Sequence, residues 1–215
     1  MRPIDSPLPP RHFVTTSEWE SAVKSRVLVT QLFTNRLVRM KLRFSPTEIV
    51  TLSEEYESNL RTRDRRLTDA ITQTVFPAYA TNGFLTKNEF LTVCNWKTPR
   101  SRPRCESNDV ELVREISELA RTVESEQLRI EIWTLLSGVK WPTASVFLHF
   151  AFPNRYPILD FRALWSLHEN VPKQYGFRFW WRYTLVCREL SHTHGVSLRV
   201  LDQALWQYSK LHQET

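Results

Sequence analysis

The residues best placed to do chemistry in this chain lie between Leu135 and Leu167, in the stretch LLSGVKWPTASVFLHFAFPNRYPILDFRALWSL. A helix is expected to end at Leu136, Gly138 permits a tight turn, and a second helix opens around Pro142 and Thr143. Backbone amides of such a turn and of a helix N-terminus point outward without intrahelical partners, and together they form an anion site. A site of that kind holds a phosphate without reading any base. Gly138, Val139, Lys140 and Thr143 are therefore candidates for phosphate contact, the alternative being an ordinary turn between two helices. Asp160 follows Gly138 by 22 residues and stands just ahead of a helix starting at Phe161. By residue type alone it is a favoured helix N-cap.

A second group sits earlier in the chain, where Trp96, Lys97 and Arg100 open a polar loop running to Arg104. An aromatic there could stack on a flipped base while the cations grip phosphate. The plainer alternative is a solvated basic loop beside a core tryptophan. Phe177 to Tyr183 mixes cations with aromatics, a pattern that more often means a core helix with its arginines facing water. His192 and His194 offer two imidazoles with no third ligand in sight, so a surface turn is expected there rather than a metal site.

The hairpin segment resembles the helix-hairpin-helix DNA glycosylase superfamily, whose pattern is roughly L-P-G-V-G-x-x-T-A, an apolar helix, then P-x-x-D. Leu136-Ser137-Gly138-Val139-Lys140-Trp141-Pro142-Thr143-Ala144 matches the hairpin, and Tyr156-Pro157-Ile158-Leu159-Asp160 matches the segment ending in the catalytic aspartate. The 22-residue spacing from Gly138 to Asp160 is also one that family members show. Phe84-Leu85-Thr86-Lys87-Asn88-Glu89-Phe90 and Asn95-Trp96-Lys97-Thr98-Pro99-Arg100 are similar to a poorly characterised bacterial group of that superfamily, in which a G-x-L-T-x-x-E-F helix leads into a W-K-x-x-R loop.

The resemblance implies that Asp160 stabilises the oxocarbenium-like charge of a sugar losing its base and orients water. Tyr156 and Arg162, which flank it, are candidates for the base pocket with Trp96; Lys97 and Arg100 join the hairpin as DNA contacts. The sequence departs from the family pattern in three places. Ser137 replaces the usual proline and Lys140 the second glycine of the hairpin. Pro142 stands where bifunctional members carry the Schiff-base lysine, which implies a monofunctional enzyme using water. Only its residue type would support Lys97 as a displaced Schiff-base lysine. Iron–sulfur members carry four closely spaced C-terminal cysteines, whereas Cys187 stands alone in that half of the chain, so no iron–sulfur cluster is expected. No other cofactor is expected, with a monovalent cation at the hairpin left open.

These residues must be positioned by helices. Four glycines among 215 residues argue against a hairpin-rich β protein, and apolar residues recur at three- and four-residue spacing. After an irregular arm over 1–16, a helix is expected from Ser17 or Glu18 to about Met40. Ser45 to Glu48 reads as a capping box, and so does Thr86 with Glu89 ahead of Phe90 to Trp96. Helices are expected over Thr62 to Tyr79, with a left-handed cap near Gly83, and over Val110 to Val123, started by Ser107 or Asn108. Further helices are expected from Ser125 or Glu126 to Leu136, then over Thr143 to Phe152, Phe161 to His168, Phe177 to Leu190 and Ser197 to Leu211. The sum is an all-α chain of about nine or ten helices. Its length, set against a prior of ~150 residues per domain, suggests one glycosylase-like domain over 17–215, with two helical lobes flanking a cleft and the hairpin within about 108–170.

The remaining composition narrows the classes. Hydrophobic and charged fractions of 41% and 24% exclude wholesale disorder. No 18-residue apolar run exists for a transmembrane helix, and the N-terminus lacks the apolar core of a secretory signal. Cys94, Cys105 and Cys187 are widely spaced and odd in number, which suits a reducing, cytoplasmic setting. A net charge of +6 favours a polyanionic partner. DNA, expected as the duplex, is the leading partner, bound by a monomer that excises a damaged or modified base, including those of foreign genomes such as phage DNA. The alternatives are a non-catalytic module that binds DNA or RNA through the hairpin, and a helical protein–protein scaffold.

Overall fold

The computed structural model describes residues 40–214. The arm over 1–16 and, apart from Met40, the helix expected to end there lie outside the described residues. Within them the chain is all-α, with ten helical segments and no strand.

Ser45 caps a 3-10 turn, Pro46–Glu48, that runs into α1 (Ile49–Ser58); its Oγ accepts from Thr47 N while its own N–H donates to Glu48 Oε2 at 2.9 Å. The next helix, α2, is one continuous run made of Thr62–Ala70, a π turn over Ile71–Val75, and Phe76–Asn82. It stops at Gly83, whose φ of +84° lets its N–H reach back to Tyr79 O. Thr86 and Glu89 form the expected capping box of α3 (Lys87–Lys97).

The structure then departs from expectation. The polar stretch after Lys97 is not a loop but a 3-10 turn, Pro99–Ser101, followed by a short helix, α4 (Arg102–Glu106). Pro99 and Pro103 both fall in first turns, where a missing N–H costs no bond, and Arg102 pairs with Glu106 one turn on at 2.7 Å. Helix α5 (Val110–Thr122) is capped by Asp109, not by Ser107 or Asn108; Asp109 Oδ1 accepts from Glu111 and Leu112 N–H. Asn108 is instead buried, and its side chain serves the hairpin.

Ser125 caps α6 (Glu126–Glu131), which tightens into a 3-10 turn over Ile132–Leu135. Four helices complete the chain: α7 (Trp141–Ala151), α8 (Phe161–Ser166), α9 (Phe177–Thr193) and α10 (Leu198–His212). Helix α7 is the hub, because Thr143 to His149 are all buried and such a helix must be surrounded on every side. Its Phe147 stacks on Trp133 at 4.2 Å and on Phe90 at 5.6 Å, joining α3 and the end of α6 to the same core. The C-terminal helix α10 packs along α1 and against α8. In α9 the cation–aromatic run divides as a core helix does. Trp180 and Tyr183 are fully buried, Arg178 is exposed, and Arg182 pairs with Glu169 at 3.1 Å. No helix among the described residues is long and apolar enough to cross a membrane.

Candidate active site

The turn between α6 and α7 is built from Leu136 to Lys140. Val139 N donates to Leu136 O at 3.1 Å, and Gly138 takes a φ of +83°, where a side chain is strained. Glycine is required there for a second reason: a Cβ would lie 2.6 Å from Cys105 Sγ and 3.0 Å from Cys105 N. Asn108 clamps the turn from the other side. Its Oδ1 accepts from Ser137 N at 2.7 Å, and its Nδ2 donates to Ser137 O and to Cys105 O, both at 2.9 Å. Lys140 has an extended φ of −117°, so the glycine of the family pattern is not needed at that position. Its side chain is exposed, whereas those of Val139 and Thr143 are buried and leave only backbone to offer a ligand.

From α7 the chain returns to Asp160 along an extended segment that is pinned at three points. His149 Nδ1 meets Tyr156 O at 2.8 Å, Leu159 N donates to Ser145 Oγ at 2.8 Å, and Tyr183 Oη donates to Ile158 O at 2.7 Å. A carbonyl can only accept, so His149 carries its proton on Nδ1. Burial, then the nearby Arg199 charge, push its pKa down to about 3 and keep the ring neutral. The pinning matters because it ties the carboxylate of Asp160 to the same helix that carries the hairpin.

Asp160 does two things at once. Its Oδ1 accepts from Arg162 N at 2.9 Å and caps α8, as its residue type alone suggested. Its Oδ2 accepts from Lys97 Nζ at 2.6 Å, and both side chains are largely buried, at 16% and 12% exposure. This pair lies in a cavity of about 280 Å³, close to the lower end of the range of ~300–1,000 Å³ for small-molecule sites. Tyr56, Trp96 and Trp206 supply its aromatic walls, Asp160 and Asp202 its buried carboxylates, and Arg61 and Lys210 exposed cations.

Each wall side chain is held. Trp96 Nε1 donates to Thr68 Oγ1 at 2.9 Å, and the ring meets Phe150 edge-on at 5.6 Å. Tyr56 and Trp206 form an edge-to-face pair at 5.3 Å. Arg199 stands behind them, its guanidinium 5.5 Å from the Tyr56 ring and 5.7 Å from that of Trp96, and its Nη1 donates to Asp202 Oδ2 at 2.8 Å. Burial outweighs Arg199 and Lys97 at Asp202 and raises its pKa to about 6.

Of the residues singled out from sequence, Trp96, Lys97 and Asp160 are brought together in this cavity. Arg162 is half-buried beside it, its guanidinium 5.3 Å from the Trp206 ring. Tyr156 does not line the cavity: it is fully buried, with its hydroxyl on Glu126 Oε2 at 2.5 Å and its ring stacked on Trp180. Arg100 is exposed on its 3-10 turn and does not line the cavity, and neither do Gly138, Val139, Lys140 and Thr143.

Tyr56, Arg199, Asp202, Trp206 and Lys210 were not found from sequence. A signal existed: Arg199, Asp202, Trp206 and Lys210 follow one another at three- and four-residue steps, a polar and aromatic stripe on α10 where a core face would be apolar. Among the described residues no group of three or more His, Cys, Asp or Glu side chains is gathered as a metal ion would need. Comparison of the chain with family models, with curated proteins and with solved structures returns no match.

Proposed function

We propose that this chain is a monofunctional DNA glycosylase of the helix-hairpin-helix kind, which flips a modified or damaged base out of duplex DNA and hydrolyses its N-glycosidic bond. The observation that carries the proposal is the placement of Asp160. It lines an aromatic-walled cavity, on a segment pinned to the helix that follows the hairpin. An extruded base needs stacking surfaces and a dry pocket, and Tyr56, Trp96 and Trp206 provide rings for it. As the bond from sugar to base lengthens, positive charge grows on the sugar, and the Asp160 carboxylate stabilises that charge and takes a proton from the attacking water. The hairpin amides and the exposed Lys140 hold backbone phosphate, and Arg61 and Lys210 extend the cationic surface to the mouth of the cavity. Lys97, salt-bridged to Asp160, orients the carboxylate.

A second reading follows from the same geometry. Asp160 caps α8 and is neutralised by Lys97, which is also what a purely structural aspartate would do. In that case the chain is a nucleic-acid-binding module.

Asp160→Asn separates the two. Asparagine caps a helix about as well as aspartate, so the cap on α8 is kept while the charge is lost, and a melting temperature checks that the variant is folded. Purified protein and variant are given DNAs carrying a broad panel of damaged and naturally modified bases, and released bases are identified by mass spectrometry. The glycosylase reading expects release that falls at least ~100-fold in the variant with DNA affinity retained. Salt-sensitive DNA binding in both proteins with no release in either favours the binding module. Strand cleavage without heat or alkali overturns the monofunctional reading and directs attention to Lys97 and Lys140.

A further inference from the structure

The cavity contains a second buried carboxylate that the scheme above leaves unused. Asp202 lies on α10, across from the segment that carries Asp160, and the two line the same space. Its Oδ2 is engaged by Arg199 Nη1, while no protein donor among the described residues is bonded to Oδ1. The two carboxylates have different surroundings. Asp160 accepts from both a backbone N–H and the Lys97 ammonium, whereas Asp202 has one donor and is only 8% exposed. Carboxyl groups whose environments differ in this way divide the acid and base roles between them.

Resting on the glycosylase reading, we propose that Asp202 is the proton donor to the departing base. The bond between C1′ and the base nitrogen breaks with its electron pair going to the base. The Asp202 carboxyl proton moves to a ring nitrogen or exocyclic oxygen of that base, which leaves neutral. Water adds its oxygen to C1′ and gives its proton to Asp160. One water is consumed, base and abasic site are formed, and a proton passing from Asp160 back to Asp202 through solvent restores the enzyme.

The electrostatics around Asp202 support this role. Burial raises its pKa to about 6, against the opposing pull of Arg199 and Lys97 and with help from Asp160. Tyr56 of α1, and Tyr183 and Cys187 of α9, also sense it, and burial raises the pKa of all three, so they stay neutral around neutral pH. His149 of α7, packed beside Phe150, is neutral as well. A carboxyl in this position is still partly protonated where most aspartates have lost their proton, which is the requirement for a general acid.

The test uses the substrate that the panel identifies, with single-turnover base release followed between pH 5 and pH 8. A second DNA carries the same base with electron-withdrawing substituents, which leaves as an anion and needs no proton. For the natural base the wild-type rate should fall about tenfold per pH unit above about 6, and for the substituted base it should stay flat. Asp202→Asn should slow release of the natural base by ~100-fold or more, abolish its pH dependence and slow the substituted base only a few-fold. DNA affinity and melting temperature, measured on the variant, check that it is folded. Equal losses on both bases, or a wild-type profile that is the same for both, would overturn the proposal. The wild-type comparison of two leaving groups decides the matter even where Asp202→Asn does not fold. Absence of release by the wild-type protein from every DNA refutes the glycosylase reading, and this inference with it; release that depends on Asp160 but not on Asp202 refutes this inference alone.

Discussion

Gly138 is the position at which the architecture makes its most demanding statement, and Gly138→Ala tests it quantitatively. Two costs add. A side chain at φ +83° pays the left-handed penalty of about 1–2 kcal/mol. Its Cβ would also sit 2.6 Å from Cys105 Sγ, 3.0 Å from Cys105 N and 3.2 Å from Arg104 Cβ. Two of these atoms are backbone or rigidly attached to it, so α4 or the turn must shift, at a further cost of about 1–3 kcal/mol. The total is about 2–5 kcal/mol. For a chain of this size each kcal/mol lowers Tm by about 2–4 °C, so a loss of roughly 4–20 °C is expected. Gly83→Ala is the internal control: its φ is +84° but nothing lies within 4 Å of a Cβ there. That variant should lose only the backbone part, about 1–2 kcal/mol. Thermal and urea unfolding followed by circular dichroism measure both. Cys105→Ala combined with Gly138→Ala should cost less than the sum of the single changes, because it removes the closest atom. Equal destabilisation of the two glycine variants would refute the packing of the hairpin against Cys105.

The other predictions concern charge. His149 titrates near 3 when folded against 6.5 when free, so folding gains stability from it as pH rises through that window, up to about 5 kcal/mol. Asp202 acts in the opposite sense: its folded pKa of about 6 lies above 3.8, so up to about 3 kcal/mol of stability present below pH 3.8 is lost as pH rises through 6. The two slopes nearly cancel between pH 4 and 6. His149→Gln should therefore leave stability falling as pH rises through that range, and urea unfolding at several pH values that gave the wild-type slope would contradict the assignment. On the DNA-binding reading proposed above, Lys140→Gln should weaken binding uniformly across DNA sequences and reduce the slope of log affinity against log salt by about one; an unchanged slope would mean that Lys140 touches no phosphate.

Much of the local structure could be read from residues that act on their immediate neighbours. Ser45 with Glu48 and Thr86 with Glu89 form the capping boxes expected of them, and Gly83 and Gly138 take the left-handed conformations that turns at those points require. The short range of these interactions makes them legible: a cap bonds to an amide two or three residues away. Asp160 ahead of α8 is legible for the same reason. The polar stretch after Lys97, expected to be a loop, is helical instead, because Pro99 and Pro103 both occupy first turns and tolerate helix there. Asn108 looked like a cap, and Asp109 took that role because Asn108 was needed 29 residues away at Ser137.

The sequence by itself determined that the described residues are all-α, where most of their helices begin, and that Asp160 opens one of them behind a glycine turn. Only the tertiary structure decided what Asp160 faces. Its partner Lys97 lies 63 residues earlier, and the second carboxylate, Asp202, lies on the last helix. Tyr156, four residues from Asp160, turned inward to Glu126, while Tyr56, more than a hundred residues away, came to line the cavity. Helix starts depend on bonds within one turn of chain, whereas a site depends on which faces are buried together, and that is settled by packing the whole set of helices around α7.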